Sequence, residues 1–196
     1  MPARDGDARR RAGRSQAGAA YAGIGSRETP TGMLAKIESL SARLAWLGWV
    51  LRTGASPGTD QAFYRGARAG GGRAELYLPW PGFEAGSWSD ARAPDVHVLA
   101  RPSPDAYELS ARFHPEWSEL DDRARDLLAR DAHEVLGEDL RSPAEMVVCW
   151  TPDGSVDGEG AGPDGTRQAL RIARHHRITV LNLARPAHIR RLSEMA

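Results

Sequence analysis

The alternation of apolar and polar positions predicts strands and helices in turn along most of the chain. Short apolar runs predict six strands, which are AAYAGI, WVLRT, AELYLP, DVHVLA, MVVCW and ITVLNLA. Between them, apolar residues at spacings of three and four predict helices, the first from Met33 to Leu47 and a long one over 116–136. Shorter helical patterns lie in DQAFYRGARAG, TRQALRIARHH and AHIRRLSEM.

Alternating helices and wholly apolar strands are typical of a parallel sheet covered by helices on both faces. We therefore predict a Rossmann-like α/β three-layer sandwich with a mostly parallel central sheet, formed by residues 18–196 as one domain. The Gly-, Pro-, Ser- and Trp-rich segment at about 79–114 predicts an irregular insertion or a lid over a site. Residues 1–17 lack apolar periodicity, and we expect them to form a disordered Arg-rich tail.

Composition excludes some classes of protein. The formal net charge is zero and Lys36 is the single lysine, so overall charge does not favour nucleic-acid binding. Cys149 is the single cysteine and lies in an apolar run, so we expect neither a disulfide nor a cysteine-based zinc site. No apolar stretch is long enough to span a bilayer, and the N-terminus is too polar for a signal peptide. We therefore expect a cytoplasmic protein with no membrane partner.

Three glycine-containing loops each follow a predicted strand and precede a predicted helix. They are GIGSR at 23–27, TGASPGTD at 53–60 and GPDGT at 162–166. Glycines let a backbone approach a ligand, and the amide groups of a helix N-terminus attract phosphate. We expect the loops to cluster at one edge of the sheet and to bind phosphate there. Arg27 is the basic residue expected at the phosphate, with a surface ion pair as its alternative role.

These motifs resemble the SLOG superfamily, which includes the DprA-type DNA-processing proteins and the LOG phosphoribohydrolases. The resemblance rests on GIGSRETP, LRTGASPGTDQAF and VVCWTPDG with GPDGTRQALRIA, and it covers 21–183. It is strongest with small phage and bacterial DprA-like proteins, and it implies a nucleotide or nucleotide-derived ligand across the three loops. The expected ligand- and phosphate-binding residues are Gly23, Gly25, Ser26, Arg27, Gly54, Ala55, Gly58, Thr59, Asp60, Gly165 and Thr166.

The resemblance leaves open whether the chain is an enzyme. LOG enzymes cleave the bond between a base and ribose 5′-monophosphate, and a glutamate of their PGGxGTxxE motif takes part. Aligning that motif on Gly165 and Thr166 places Ala169 at the position of the glutamate, next to the neutral Gln168. If the chain is an enzyme, we expect an N-glycosidic hydrolase of the phosphoribohydrolase type whose carboxylates come from other positions.

Three other carboxylates are candidates for that catalytic role. Asp60 lies at a predicted helix start, where its alternative role is a helix cap. Asp131 and Glu134 lie on one face of the long predicted helix, where a solvated face or an ion pair is the alternative. Cleavage of an N-glycosidic bond requires stabilisation of positive charge on the sugar or activation of water, and a carboxylate can supply either.

Acidic residues crowd the third loop and oppose simple phosphate binding there. They are Asp153, Asp157, Glu159 and Asp164. They would repel a phosphate unless Mg²⁺ or arginines intervene. Their spacing matches no metal motif that we identify, so we predict no metal site and no cofactor, and Mg²⁺ stays an alternative.

Two further readings of the chain stay open beside the small nucleotide ligand. The first is single-stranded DNA binding in the manner of DprA, for which Arg65, Arg68 and Arg73 would provide a local basic patch. In the second, the glycine loops only end strands and the protein acts through protein contacts. The sequence leaves a homo-oligomer open as well.

Overall fold

The computed structural model describes residues 18–88, 96–160, 162 and 164–195, and the predicted tail at 1–17 lies outside them. The strands in these residues are β1 (Ala20–Gly25), β2 (Val50–Thr53), β3 (Ala74–Tyr77), β4 (Val96–Leu99), β5 (Met146–Trp150) and β6 (Thr179–Asn182). The α-helices are α1 (Thr31–Trp46), α2 (Thr59–Ala69), α3 (Pro104–Phe113), α4 (Asp122–Leu136), α5 (Asp164–His175) and α6 (Pro186–Met195).

The strands form one sheet in the order β4-β3-β2-β1-β5-β6, and every pairing is parallel. Side chains of β1 alternate between two cores, with Tyr21 in one and Ala22 in the other. The first core contains residues of α1, α2 and α6, and the second contains residues of α3, α4 and α5. The predicted Rossmann-like three-layer fold is therefore confirmed.

Two elements differ from the sequence-based predictions. The helix predicted over 116–136 is interrupted, because Leu120 is extended (ψ 142°) and α4 begins only after it. Asp121 caps α4, since its carboxylate accepts a hydrogen bond of 2.7 Å from the Ala124 amide. In addition, α3 lies within the segment predicted to be irregular at 79–114. A proline in its first turn, where no amide donor is needed, favours this helix start. None of the helices that the structure describes is long and apolar enough to cross a membrane.

The contact between α1 and α2 fixes the position of the helix that follows the second glycine loop. Ser41 Oγ donates a hydrogen bond of 2.6 Å to the Phe63 carbonyl, and it accepts one of 2.8 Å from the buried Tyr21 hydroxyl. At Gly66 the helices approach so closely that a Cβ atom would lie 2.2 Å from the Glu38 carbonyl oxygen. The start of α2 is thus held by backbone packing farther along the same helix.

Gly66→Ala should therefore destabilise the fold although alanine favours helix formation. A methyl group at this contact has to push α1 and α2 apart, and we expect a loss of about 1–3 kcal/mol in the free energy of unfolding. Gly32→Ala is the matched control, because a Cβ atom at Gly32 of α1 meets nothing within 4 Å. Urea unfolding of both variants measures the difference, and equal stabilities would contradict the close contact.

Candidate functional site

A cavity of about 900 Å³ lies at the carboxyl edge of the sheet. From β1 the chain leads to β2, β3 and β4 on one side, whereas β5 and β6 lie on the other side of β1. Parallel α/β sheets bind ligands at such a switch between neighbouring strands, here β1 and β5. Four parts of the chain contribute described residues to the lining. They are 24–28 at the end of β1 and after it, Ser56 and Asp60 before and in α2, 120–134 before and in α4, and 150–169 from the end of β5 into α5.

The first two glycine loops are held against each other by buried hydroxyl groups. Thr59 Oγ1 donates a hydrogen bond of 3.0 Å to the Ser26 carbonyl, and Thr29 Oγ1 donates one of 2.9 Å to the same oxygen. Gly58 has a φ of 89°, and a Cβ atom there would lie 2.9 Å from the Arg27 Cα atom. Thr59 and Gly58 therefore build the loop contact, and Ser26 and Arg27 of the first loop line the cavity.

The start of α5 forms the opposite wall of the cavity. Gly162, Asp164, Gly165 and Thr166 line it. The first amide groups of a helix have no partner within the helix and carry partial positive charge. Asp164 pairs with Arg167 one turn later in the same helix. The exposed Arg27 of the first loop and the first residues of α5 thus line one cavity.

The floor of the cavity holds a buried cluster of one arginine and three carboxylates. Arg130 is 5% exposed, and its Nη1 atom lies 2.7 Å from Glu134 Oε1. Its Nε atom lies 3.0 Å from Asp131 Oδ1, and Nη1 lies 3.6 Å from Asp60 Oδ2. Arg130 Nη2 also donates a hydrogen bond of 3.3 Å to Ser56 Oγ. We call these four charged residues, Asp60, Arg130, Asp131 and Glu134, the Arg130 cluster.

Two glycines make room for the Arg130 cluster. A Cβ atom at Gly54 would lie 1.1 Å from Arg130 Nη1 and 2.2 Å from Glu134 Oε1. A Cβ atom at Gly165 would lie 2.5 Å from Asp131 Oδ2. Gly54 was expected to let the backbone approach a ligand, whereas the group that approaches it is the guanidinium of Arg130.

Burial raises the pKa values of the carboxylates in the Arg130 cluster. The pKa of Asp60 is about 6, because burial outweighs the attraction of Arg130 and the hydrogen bond from the Ser56 amide. Burial likewise raises the pKa of Asp131 to about 7. The pKa of Glu134 is raised well above its usual range by burial and by the two neighbouring carboxylates. The cluster can therefore hold and release protons near neutral pH.

The rest of the cavity wall is largely apolar. Leu127 and Leu128 of α4 lie one turn before the carboxylates of that helix, and Leu120 precedes the helix. Ile24 at the end of β1 and Trp150 at the end of β5 contribute to the same wall. The cavity thus combines an apolar surface, a helix N-terminus and a buried charged floor, and its volume suits a small organic ligand.

The structure brings many of the predicted site residues into this cavity. Those that line it are Gly25, Ser26, Arg27, Asp60, Asp131, Glu134, Gly165 and Thr166. The remaining predicted residues lie in the same loops but outside the lining and are Gly23, Gly54, Ala55, Gly58 and Thr59. No described residue of the segment 79–114, which was predicted to be an irregular insertion or a lid, lines the cavity, whereas Leu120 and residues of α4 do.

Sequence reasoning missed Arg130, the residue that joins the three carboxylates. Its signal was present, because Arg130 and Glu134 lie at i and i+4 of a predicted helix, where ion pairs form. Ala169 lines the cavity as its alignment with the LOG glutamate implies. Gln168 points away from it, donating hydrogen bonds of 2.7 Å to the Leu128 carbonyl and 3.1 Å to Ser110 Oγ.

Two of the four acidic residues of the third loop, Asp153 and Asp157, accept hydrogen bonds within the loop itself. Asp153 accepts hydrogen bonds from Thr151 Oγ1 and the Ser155 amide, at 2.9 and 3.0 Å. Asp157 accepts one of 2.9 Å from Ser155 Oγ and one of 3.0 Å from the Glu159 amide. Within the described part of the chain, no group of three or more His, Cys, Asp or Glu side chains is arranged to hold a metal ion.

One solved structure similar to this chain is the X-ray structure of DNA processing protein A (DprA) from Streptococcus pneumoniae. The TM-score is 0.40 and the sequence identity is 12%, and the match covers 85% of this chain and 59% of that chain. No protein-family model matches the chain, and no curated protein does. The chain thus spans 59% of the length of the DprA chain it matches, and it is not assigned to a family.

Neutralising Asp131 should change how the stability of the protein depends on pH. A carboxylate whose pKa is raised by folding makes the native state bind more protons, so its contribution to stability falls as pH rises from about 4 to about 7. We expect the stability of Asp131→Asn relative to the wild type to be greater at pH 8 than at pH 5, by on the order of 2–3 kcal/mol, because about two pH units of that range lie between pH 5 and pH 7.

Urea unfolding at the two pH values measures this difference. Glu145→Gln is the control, because it neutralises an exposed carboxylate outside the cavity. It should change the free energy of unfolding by the same amount at both pH values. A stability difference between Asp131→Asn and the wild type that does not change with pH would contradict a buried, proton-binding Asp131.

Proposed function

We propose that the cavity binds a nucleotide or a nucleotide-derived small molecule. The observation that carries this proposal is the convergence of the first and third loops, the start of α2 and the helix α4 on one cavity of about 900 Å³. A ligand with an anionic end, a hydroxyl-bearing middle and a flat apolar end matches the three kinds of surface in it. Nucleotides are the common metabolites built in that way.

The phosphate group is placed at the start of α5. The amides of Gly165 and Thr166 offer donors there, and the Thr166 hydroxyl adds another. Arg27 of the first loop supplies a positive charge. Because its side chain is exposed, it can adjust its position to the bound phosphate. The base then lies on the apolar wall of Leu127 and Trp150. In that orientation the ribose is closest to the carboxylates, which accept hydrogen bonds from its hydroxyl groups.

Arg27→Met should weaken binding of a nucleoside monophosphate. The variant keeps the length of the side chain and removes the charge that faces the phosphate, and we expect about a tenfold loss of affinity. Arg43→Met is the matched control, since Arg43 is exposed near the end of α1 and does not line the cavity. Calorimetric titration with AMP and with adenosine measures the effect, and an equal loss for adenosine would contradict a phosphate contact.

Single-stranded DNA binding is the alternative function, and DNA processing is what the name of the similar DprA structure states. DNA binding requires a groove of unpaired positive charge and weakens steeply with salt. In the basic patch considered for it, Arg65 already lies 3.2 Å from Glu38 Oε2. Titration with an oligonucleotide at two salt concentrations therefore belongs beside the AMP titration. A response to the oligonucleotide alone, lost at high salt, would favour the alternative.

A second step of the proposal is hydrolysis of the N-glycosidic bond of the ligand. The observation that favours it is the buried Arg130 cluster, in which carboxylates with raised pKa values face the cavity. An ionised carboxylate takes a proton from water while the water oxygen bonds to C1′ of the ribose. The C1′–N bond breaks, its electron pair leaves with the base, and a protonated carboxylate returns a proton to that base. The products are ribose phosphate and free base.

Glu134→Gln should abolish base release and leave binding of the ligand intact. The amide keeps the volume of the side chain but can neither accept nor return a proton, so we expect a rate lower by at least about a hundredfold. Chromatography of AMP incubated with each variant measures free adenine, and titration measures binding. Glu28→Gln is the control, because Glu28 is an exposed carboxylate at the cavity. If wild type binds AMP and releases no adenine, the site is a sensor or a binding site only.

A further inference from the structure

The charge of the cavity lining is unbalanced for a ligand that brings only negative charge. The described lining contains five carboxylates and two guanidinium groups. The carboxylates are those of Glu28, Asp60, Asp131, Glu134 and Asp164, and the guanidinium groups are those of Arg27 and Arg130. Arg27 is exposed, so the buried part of the lining has a single positive charge.

The buried positive charge of Arg130 is already paired with carboxylates of the protein. The guanidinium of Arg130 lies within 3.6 Å of all three carboxylates of its cluster, and only 5% of the residue is exposed. Glu134 Oε1 lies 2.7 Å from Arg130 Nη1, yet both atoms are buried without a hydrogen bond of acceptable geometry. Once Asp60 and Asp131 are ionised, the cluster has an excess of negative charge even if Glu134 keeps its proton, and Glu134 Oε1 is buried without a hydrogen bond.

The apolar wall and the carboxylates belong to one stripe of α4. Ala124, Leu127, Asp131 and Glu134 follow one another at spacings of three and four residues, and all four line the cavity. Such residues share one face of a helix, and one turn rises by about 5.4 Å. The carboxylate of Asp131 lies about one helical turn from Leu127 on this face. It therefore lies beside the edge of a flat ring that packs on Leu127.

We propose that this stripe selects a ribosylated heterocycle that carries a positive charge, such as a pyridinium ring bonded to ribose through its quaternary nitrogen. This inference rests on the proposed nucleotide-binding function and names the class of ligand for the same cavity. The apolar residues take the face of the ring, and the excess negative charge of the Arg130 cluster stabilises the cation in a water-poor site. A neutral base offers the same ring surface and leaves that charge uncompensated.

The proposal predicts the direction in which affinity for a cationic ligand changes with pH. The groups that face Asp131 and Glu134 are Arg130 of α4 and Asp60 of α2, with Arg27 of the first loop near Asp60. Burial raises the pKa values of Asp60 and Asp131 to about 6 and about 7, so both carboxylates become ionised as pH rises towards 8. Affinity for the cation should rise over this range, whereas affinity for an uncharged ring should not.

The test compares nicotinamide mononucleotide with its reduced 1,4-dihydro form. The two ligands share phosphate, ribose and carboxamide, and they differ by one hydride and by the positive charge of the ring. At pH 8 we expect the oxidised form to bind at least about tenfold more tightly in calorimetric titrations with wild-type protein. At pH 5.5 we expect the ratio of the two affinities to shrink.

Two variants test whether the stripe of α4 causes the preference for the oxidised ligand. Asp131→Asn should reduce the affinity ratio at pH 8 at least about threefold, because it removes a negative charge beside the ring and retains the side-chain shape. Glu145→Gln, which removes an exposed carboxylate outside the cavity, should leave the ratio unchanged. The unfolding experiment on Asp131→Asn shows in parallel whether that variant is folded.

AMP separates failure of this inference from failure of the proposed function. If AMP binds and the two nicotinamide ligands bind equally, or the reduced form binds more tightly, the charge preference is wrong and nucleotide binding stands. If AMP and both nicotinamide ligands fail to bind wild-type protein, the proposed function is wrong and this inference falls with it. If Asp131→Asn and Glu145→Gln reduce the preference for the oxidised form equally, the stripe is not the cause of that preference.

Discussion

The ion pairs of Arg130 are the interaction on which the cavity depends. One buried guanidinium joins Glu134 and Asp131 on its own helix to Asp60 at the start of α2 and to Ser56 in the loop after β2. Removing Arg130 from this cluster leaves buried carboxylates whose charge neither water nor a counter-ion neutralises, at a cost of about 3–5 kcal/mol. The same contacts that hold α4 over the edge of the sheet therefore set the charge of the cavity floor.

This constraint explains why the second and the third loop each have a glycine beside the Arg130 cluster. Gly54 is required because the guanidinium of Arg130 occupies the space of a side chain at that position. Gly165 leaves similar room for Asp131, and it also lines the cavity at the start of α5. A glycine in such a loop can therefore be required by the packing of a neighbouring side chain, and the sequence motif alone does not distinguish this role from contact with a ligand.

Much of the architecture could be predicted from the sequence, because strands and helices depend on local periodicity. The six apolar runs became the six strands, and the order of the elements placed the glycine loops at one edge. The interruption at Leu120 was missed because the apolar spacing continues through it, although Asp121, which caps α4, is a residue type that favours a helix start. An ion pair was the alternative role predicted for Asp131 and Glu134, and the pairing with Arg130 that was missed is the one with Asp60. The pairing of Arg130 with Asp60 joins positions far apart in sequence, and no local pattern reports it.

Carboxylates reach the cavity from a helix other than the one in which the resemblance to LOG enzymes places a glutamate. Ala169 of α5 lines the cavity where the resemblance to LOG enzymes places a glutamate, and its methyl group can neither bind nor transfer a proton. Asp131 and Glu134 reach the same cavity from the facing helix α4, with pKa values raised by burial. The capacity for acid–base chemistry is therefore determined by the buried surroundings of the carboxylates in the folded chain and not by the motif of one loop. Arg130 adds a constraint to this chemistry, because its fixed positive charge favours ionised carboxylates while burial favours protonated ones, and the balance between the two decides which form the ligand meets.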